Sequence, residues 1–315
     1  MPVRPEPDPL DSGPTVNRIL LGTQLRRLRE EAGISPQRAG AHIRASHAKI
    51  SRLELGRVGF KTRDIEDLLD LYGVTGERER AAFLVMASRS NERGWWSRDS
   101  DLVQGWFEMY LRLEQEAQSV RTFEAQLLPG LLQSEAYARA VLRLFFPSVP
   151  AHEVDRRAHM RLTRQKVLMQ PGGPRLWAIV DESALNRPVG SKAVMRAQLE
   201  HILEITAQPN ITMQVLPFLA GGHAAMGGPF TILRFAQSEL PDIVYLEQYN
   251  SATYLDRRAD VEDYLWAMER LGVASMTPVQ SRARPVQNSA SSSRTRARLC
   301  TGVIEATPSR SIAHR

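Results

Sequence analysis

The run SHAKISRLELG, residues 46–56, carries an imidazole, an ammonium and a guanidinium within six positions. On a helix, His47, Ala48, Lys49, Ser51 and Arg52 share an outward surface, while Ile50 and Leu53, three apart, turn inward. Such a surface suits the DNA major groove, which admits one helix and presents base edges to its first turn. The chemistry in view is recognition rather than bond making.

Two short helices must hold that surface. Ser35 followed by Pro36 reads as an N-cap and first helical residue, where a missing proline N–H costs nothing. The first helix runs to about Ile43, Ser46 caps the second, and Gly56 closes it in a left-handed position. Ala39, Ile43, Ile50 and Leu53 form the predicted wedge between the two. A polar-faced helix pair is also an ordinary part of all-α proteins, and charge separates the two cases. From Asn17 to Lys61 ten Arg or Lys stand against three acids, Glu30, Glu31 and Glu54, giving +7. A polyanion is the simplest partner for that field.

The 315 residues, 43% hydrophobic and 24% charged, are enough for two domains and a buried core. The single cysteine, Cys300, excludes an internal disulfide framework and a Cys-based zinc site, and fits a reducing cytosol. No stretch approaches the roughly 18 unbroken apolar residues of a spanning helix. MPVRPEPDPLDSGP lacks the apolar centre of a signal peptide. The expected location is the cytoplasm, with no membrane partner. The net charge of +6 is uneven: residues 1–16 carry −2, residues 62–276 carry −5, and residues 277–315 carry +6. The acidic middle is a poor candidate for contact with DNA.

No His-Glu-x-x-His, no phosphate loop ending in Gly-Lys-Ser and no Gly-x-Ser-x-Gly elbow is present. No catalytic residue, cofactor or metal is therefore assigned, and the chain is read as a non-enzyme. Three stretches keep two readings each. GGHAAMGG, residues 221–228, can cradle an anion or simply connect strands. His152 and His159, seven apart on one helix face, can ligate a metal but have no nearby Cys or evident carboxylate partner. Asp181 and Glu182, with Asn186 and Arg187 close behind, can line a pocket or serve as caps and ion pairs.

The pattern divides the chain into a disordered leader (1–15), an all-α DNA-binding domain (16–90), a mixed α+β domain for sensing, partner binding or dimerisation (91–276), and a basic disordered tail (277–315). In the first domain, Ile19, Leu20, Leu25 and Leu28 recur at helical spacing, with Arg26, Arg27 and Arg29 on the other side until Gly33. Thr62 caps a helix with Ile65, Leu68, Leu69 and Leu71 inward, and a fifth helix spans roughly Glu77 to Ser90. NERGWWSRDS is the joint, where Trp95 and Trp96 are either a stacking platform or inter-domain packing. Beyond it, SVRTFEAQLLPGLLQS shifts to β-branched and aromatic residues. Four strands are predicted, in RLWAIVDES, ITMQVLPF, PFTILRF and DIVYLEQY, among five further helices. This mixture implies an α+β or α/β domain with a mixed sheet. From Thr277 the composition collapses into Ser, Arg, Pro, Thr and Ala, either an aid to nonspecific phosphate binding or a solvated extension.

ISPQRAGAHIRASHAKISRLELGRV resembles the phage-repressor-like, or lambda-repressor-like, helix-turn-helix regulators of the Xre family. A closer resemblance is to a subgroup abundant in actinobacteria. There, IRASHAKISRLELGRV joins a domain of unknown function with runs like VRTFEAQLLPGLLQSEAYARAV, LWAIVDESALNRPVG and ITMQVLPF. The resemblance covers about residues 17–275. It implies a regulator linked to development and antibiotic production, a double-stranded DNA partner, a homodimer, and a small partner protein encoded nearby, with an antitoxin-like character described for some members.

Position by position, the resemblance places His47, Ala48, Lys49 and Arg52 against base edges, and Ser46 at a capping position that also approaches phosphate. Arg52 leads, because a guanidinium can pair with guanine O6 and N7 for roughly 1 to 3 kcal/mol of discrimination. Lys49 can read guanine or hold a phosphate. Many relatives have Gln where Pro36 stands, so Gln37 becomes the substitute phosphate contact; Arg27, Arg44, Arg57 and Lys61 complete that set. Arg44 replaces the usual turn glycine, so the bend is made either with ordinary dihedrals or under strain. The implied function is sequence-specific transcriptional regulation by the helix at 46–54, controlled through the C-terminal domain by a small protein partner or a ligand. The alternative is an antitoxin-like protein that sequesters a small protein, with DNA binding secondary.

Overall fold

The computed structural model describes residues 14–91, 94–237 and 240–283. The expected leader, apart from its last two residues, and residues 284–315 of the expected tail lie outside those ranges. Five helices come first: α1 (Pro14–Glu31), α2 (Pro36–His42), α3 (His47–Glu54), α4 (Thr62–Leu71) and α5 (Glu77–Ser90). Among their inward residues, Leu21, Leu25, Ile50, Leu53, Ile65, Leu68 and Leu69 are each at most 1% exposed. Two details differ from the sequence expectation. Thr62 is the first helical residue rather than the cap, and Lys61 precedes it without a side-chain capping bond. Arg29 is not on the outer side but buried, because it follows Leu25 by four residues and so shares its face.

The joint is a short 3-10 turn, Trp95–Asp99, leading to α6 (Gly105–Glu116). Trp96 is buried. Its indole N–H reaches Glu108 of α6 at 3.4 Å and the guanidinium of Arg112 lies 5.1 Å from its ring centroid. Trp96 is therefore a packing residue. Helix α6 also packs on α1, and one buried cluster runs from Ile19 through Tyr110 and Leu113 of α6 to the sheet of the second domain.

That sheet has six strands: β1 (Ser119–Glu124), β2 (Arg175–Asp181), β3 (Ile211–Leu216), β4 (Phe230–Arg234), β5 (Ile243–Glu247) and β6 (Ala252–Leu255), in the order β3-β2-β1-β4-β5-β6. β1, β2 and β3 run parallel, and β4, β5 and β6 continue antiparallel from β1. The parallel crossovers carry α7 (Glu135–Phe145) and α8 (Ala151–Gln165), then α9 (Glu182–Asn186) and α10 (Lys192–Ile205). Val120, Leu176, Ala178 and Val215 face the layer of α6, α7 and α10. On the other face, Phe123, Ile179, Ile232 and Val244 pack against Val261, Met268 and Leu271 of α11 (Arg258–Ala274). Cover on both faces is why these strands read as nearly unbroken apolar runs.

The central strand, β1, and the short edge strand, β6, were not among the four predicted strands. β1 alternates polar Ser119, Arg121 and Glu124 with apolar residues, which hides a buried strand from a search for apolar runs, and β6 has only four residues. The predicted tail also begins too early. Pro278–Ala283 forms α12, whose Ser281 Oγ accepts the Val215 N–H at 2.9 Å, while the Met276 N–H donates to the Val215 carbonyl at 2.9 Å. These residues cover the outer edge of β3, and an open edge is a liability.

Of the stretches with two readings, Asp181 and Glu182 are structural. Asp181 Oδ1 accepts the Ser183 N–H at 2.8 Å to cap α9, and Glu182 Oε2 accepts the Phe218 N–H at 2.8 Å. Residues 221–228 connect β3 to β4, with the His223 ring edge-on to Phe123. His152 and His159 are exposed on α8, and among the described residues no cluster of three or more His, Cys, Asp or Glu is placed to hold a metal. Among the same residues no helix is long and apolar enough to cross a membrane.

Glu124, the last residue of β1, lies on the face turned toward α6. Burial raises its carboxyl pKa from 4.5 to about 8; the charge of Glu247 adds to the shift, and Arg164 opposes it. The folded chain thus keeps a proton that the unfolded chain has released, so this group's contribution to stability falls as pH rises from 4.5 to about 8. Glu124→Gln removes that linkage. Its melting temperature relative to the parent should rise progressively between pH 5 and pH 8 (about the window of the shift), and a pH-independent difference would contradict a half-buried, protonated Glu124.

Candidate nucleic-acid interface

Both helices of the central pair start on the serines expected from sequence. Ser35 Oγ accepts the Arg38 N–H and Ser46 Oγ accepts the Lys49 N–H, each at 3.2 Å. Between the helices, the Ala45 N–H donates to the Gly40 carbonyl at 2.8 Å and the Arg44 N–H to Ala41 at 3.2 Å. The end of α3 repeats this pair of bonds, Arg57 to Arg52 and Gly56 to Leu53, with Gly56 at φ 65°. That closure needs a left-handed residue. Arg44 supplies it at φ 54°, alone among the described non-glycine residues. The bend is therefore made under strain, on the order of 1 kcal/mol for a side chain in this region.

Two glycines not singled out from sequence set how closely the helices approach. A Cβ on Gly40 would lie 2.8 Å from the Ala45 carbonyl oxygen, and one on Gly22 would lie 2.5 Å from that of Leu53. A glycine inside a helix, where it costs about 1 kcal/mol against alanine, was the available signal. Close approach brings together Arg29 of α1 and Glu54 of α3, which form a two-point ion pair at 2.5 and 2.9 Å, with both side chains 8% exposed. The remaining Arg29 nitrogen donates to the Ile34 carbonyl at 2.9 Å. The hydrogen bond with Glu54 is the main cause holding the Arg29 pKa above its ordinary value.

His47, Ala48, Ser51 and Arg52 are exposed on the opposite side of α3. Arg52 folds back on its own helix, donating to the Ala48 carbonyl at 3.3 Å. Lys49 departs from the expected outward direction: its ammonium is 2.6 Å from Asp64 of α4, a carboxylate only 13% exposed. Opposite charge on a neighbouring helix turns it inward, so Lys49 must exchange Asp64 for any base or phosphate. Among the phosphate candidates, Ser46, Gln37, Arg44, Arg57 and Lys61 are exposed around the helix pair and the loop that follows it. Asn91 holds that loop, donating to the Phe60 carbonyl at 2.5 Å and accepting its N–H at 3.2 Å. Arg27 is placed elsewhere. It lies about 140° around α1 from Gly22 at 100° per residue, facing away from α3, and pairs with Glu31 at 3.6 Å.

The basic field is thinner than its formal charge. Arg18 donates to the Ser90 carbonyl at 2.6 Å, and burial, assisted by Arg112, lowers its pKa. Arg29 is internal as well. Among the described residues Arg38, Arg44, Arg52, Arg57 and Lys61 form no ion pair, and they flank the exposed first turn of α3. Arg38 belongs with the phosphate candidates by position, on the first turn of α2.

Residues 20–83 match the model of a helix-turn-helix domain, and residues 107–284, more than half of the chain, match a domain of unknown function, DUF5753. The chain belongs to the DUF5753 family. No curated protein and no solved structure matches it. The helix-turn-helix match supports DNA binding in general, and it ends within α5. The DUF5753 domain begins within α6 and takes in the whole sheet and α12.

Two outcomes test this geometry. Glu54→Gln leaves Arg29 buried without its anion and should cost roughly 3 kcal/mol in urea unfolding, whereas Arg29→Met combined with Glu54→Leu should recover most of the loss. Equal loss in the single and double variants would show that the pair is not the interaction that matters. Arg44→Gly should relieve the left-handed strain and raise stability by up to about 1 kcal/mol, net of glycine's extra freedom when unfolded. The same change should weaken DNA binding, since it removes a cation from the interface. A Kd that stays unchanged or falls while Tm rises would refute that assignment.

Proposed function

We propose that this DUF5753 chain is a sequence-specific transcriptional regulator, not an enzyme, of the Xre kind found in actinobacteria. It reads double-stranded DNA in the cytoplasm as a homodimer. The observation that carries this reading is the first turn of α3: His47, Ala48, Ser51 and Arg52 are exposed together, and unpaired cations at Arg38, Arg44, Arg57 and Lys61 surround them. Arg52 is the main base-reading residue, with His47 and Ala48 beside it. Lys49 joins them once Asp64 releases it. Ser46, Gln37, Arg44, Arg57 and Lys61 hold phosphates. Two copies place their α3 helices about one helical turn apart on a roughly palindromic site.

Control comes through the DUF5753 domain, by a ligand or a small protein. An antitoxin-like capture of a small protein finds support in α11, where Trp266 and Val273, seven residues apart, are 60% and 85% exposed.

Selection of the purified protein on a random DNA pool at near-physiological salt, beside Arg52→Ala, tests the principal reading. A palindrome should be enriched, and the variant should lose roughly 1 to 3 kcal/mol of preference at one base pair of each half-site. Enrichment unchanged by the substitution would remove Arg52 from the interface. No enrichment at all would remove the regulator reading.

A further inference from the structure

At the carboxyl end of β1 the sheet changes direction, with β2 and β3 following on one side and β4 to β6 on the other. Crevices outside strand ends at such a switch are where open α/β sheets hold small molecules. Here the crevice is a cavity of about 380 Å³, adjoined by a second of about 180 Å³ that shares Phe107, Phe145, Arg161 and Tyr249 with it. Glu124 ends β1 at the floor, Phe107 and Tyr110 come from α6, and Arg161 comes from α8. Phe145 and Tyr249 line both cavities and are 49% and 89% exposed, an apolar rim open to solvent.

The charges are unbalanced. Arg164 is occupied: it makes two hydrogen bonds to Glu114, one at 2.8 Å, and lies over the rings of Tyr110 and Phe107. Arg161, one turn earlier, makes no ion pair among the described residues, and the charge of Glu247, which lines both cavities with it, acts on it only through space. The Arg161 hydrogen bond among the described residues goes to the neutral amide oxygen of Gln133, at 2.9 Å. Burial and the charge of Arg164 lower its pKa to about 10, which leaves it cationic at neutral pH. Glu124 does not neutralise it, because its own carboxyl holds a proton up to about pH 8. Its side chain makes no hydrogen bond among the described residues, and the surface it retains faces the cavity. Glu247, toward the exposed rim, accepts the Tyr245 hydroxyl at 3.0 Å. A half-buried cation with one neutral acceptor is costly, and an entering anion recovers much of that cost.

We propose that this cavity binds a small organic acid with a flat, ring-containing body, its carboxylate on the Arg161 guanidinium and its ring among Phe107, Tyr110 and Phe145. Glu124 donates its proton in a hydrogen bond to an oxygen of the same molecule. One unpaired guanidinium matches one negative charge, so an amine is repelled and a dianion is left partly uncompensated. α6 lines the cavity and packs on α1, which carries α3, so the occupant acts as an effector of DNA reading. That consequence rests on the proposed function; the binding itself does not.

Naphthoate is a suitable fluorescent probe, with naphthalene methanol as the neutral analogue and naphthylmethylamine as the cation, each titrated against the full chain without DNA. Naphthoate should saturate one site and bind about tenfold or more tighter than either analogue, the worth of one charge-assisted hydrogen-bond pair. Arg161→Gln should abolish that margin and Arg161→Lys should restore part of it. Tyr249→Ala, at an exposed position, should weaken naphthoate several-fold with the melting temperature unchanged. Equal binding of acid and alcohol, tighter binding of the amine, or full binding by Arg161→Gln would overturn the proposal. Should Arg161→Gln fail to fold, the acid-to-alcohol ratio and Tyr249→Ala decide it. A shift in Kd for the selected DNA site on adding naphthoate supports the effector role, and no shift removes it. A chain that binds no DNA at all defeats the regulator reading while the titration still judges the cavity.

Discussion

The pose of α3 depends on the buried pair between Arg29 and Glu54. Both charges are withdrawn from water, and the two-point geometry fixes distance and rotation together, as a single hydrophobic contact does not. Removing either partner leaves a charge without compensation in the interior, so the pair acts as a requirement more than as a source of net stability. Because Glu54 is the last residue of α3 and Arg29 lies near the end of α1, the pair anchors the trailing end of α3. Its first turn stays outside, where His47 and Arg52 are exposed.

α1 carries more than the reading helix. One face takes the backbone of α3 at Gly22, and α1 also packs on α6 of the DUF5753 domain. The orientation of the exposed surface of α3 relative to the sheet is therefore transmitted through α1, with Arg18 at the seam, bound to the Ser90 carbonyl. A rigid element shared by two packing layers is a plain physical route between the cavity side of α6 and the exposed side of α3.

The basic residues divide by partner. Arg18 and Arg29 satisfy groups inside the molecule, Lys49 is held by Asp64, and Arg38, Arg44, Arg52, Arg57 and Lys61 face solvent without an anion among the described residues. Arg44 combines both costs, an unpaired charge and a left-handed backbone. Strain retained at a surface turn is commonly a sign of a site shaped for something other than stability.

The sequence by itself determined the local structure of the helix-turn-helix half: the serine caps at 35 and 46, the wedge of Ala39, Ile43, Ile50 and Leu53, and the closure at Gly56. Caps, turn closures and helical periodicity depend on neighbours within four or five residues, so they can be read directly from the chain. It also determined four of the six strands, whose apolar runs reflect burial on both faces. Tertiary structure decided the rest. Arg29 and Glu54 are 25 positions apart, and although helical spacing puts Arg29 on the face of Leu25, nothing along the chain marks Glu54 as its partner. Lys49 turned inward because α4 brings Asp64 beside it, and Arg27 faced away because α3 packs on the other side of α1, at Gly22. β1 became the centre of the sheet through pairing with strands more than 50 residues later, which placed Glu124 at the switch point and, with α8, set Arg161 over the same cavity. Each of these outcomes depends on distant groups meeting in space, and spacing along the chain carries no record of that.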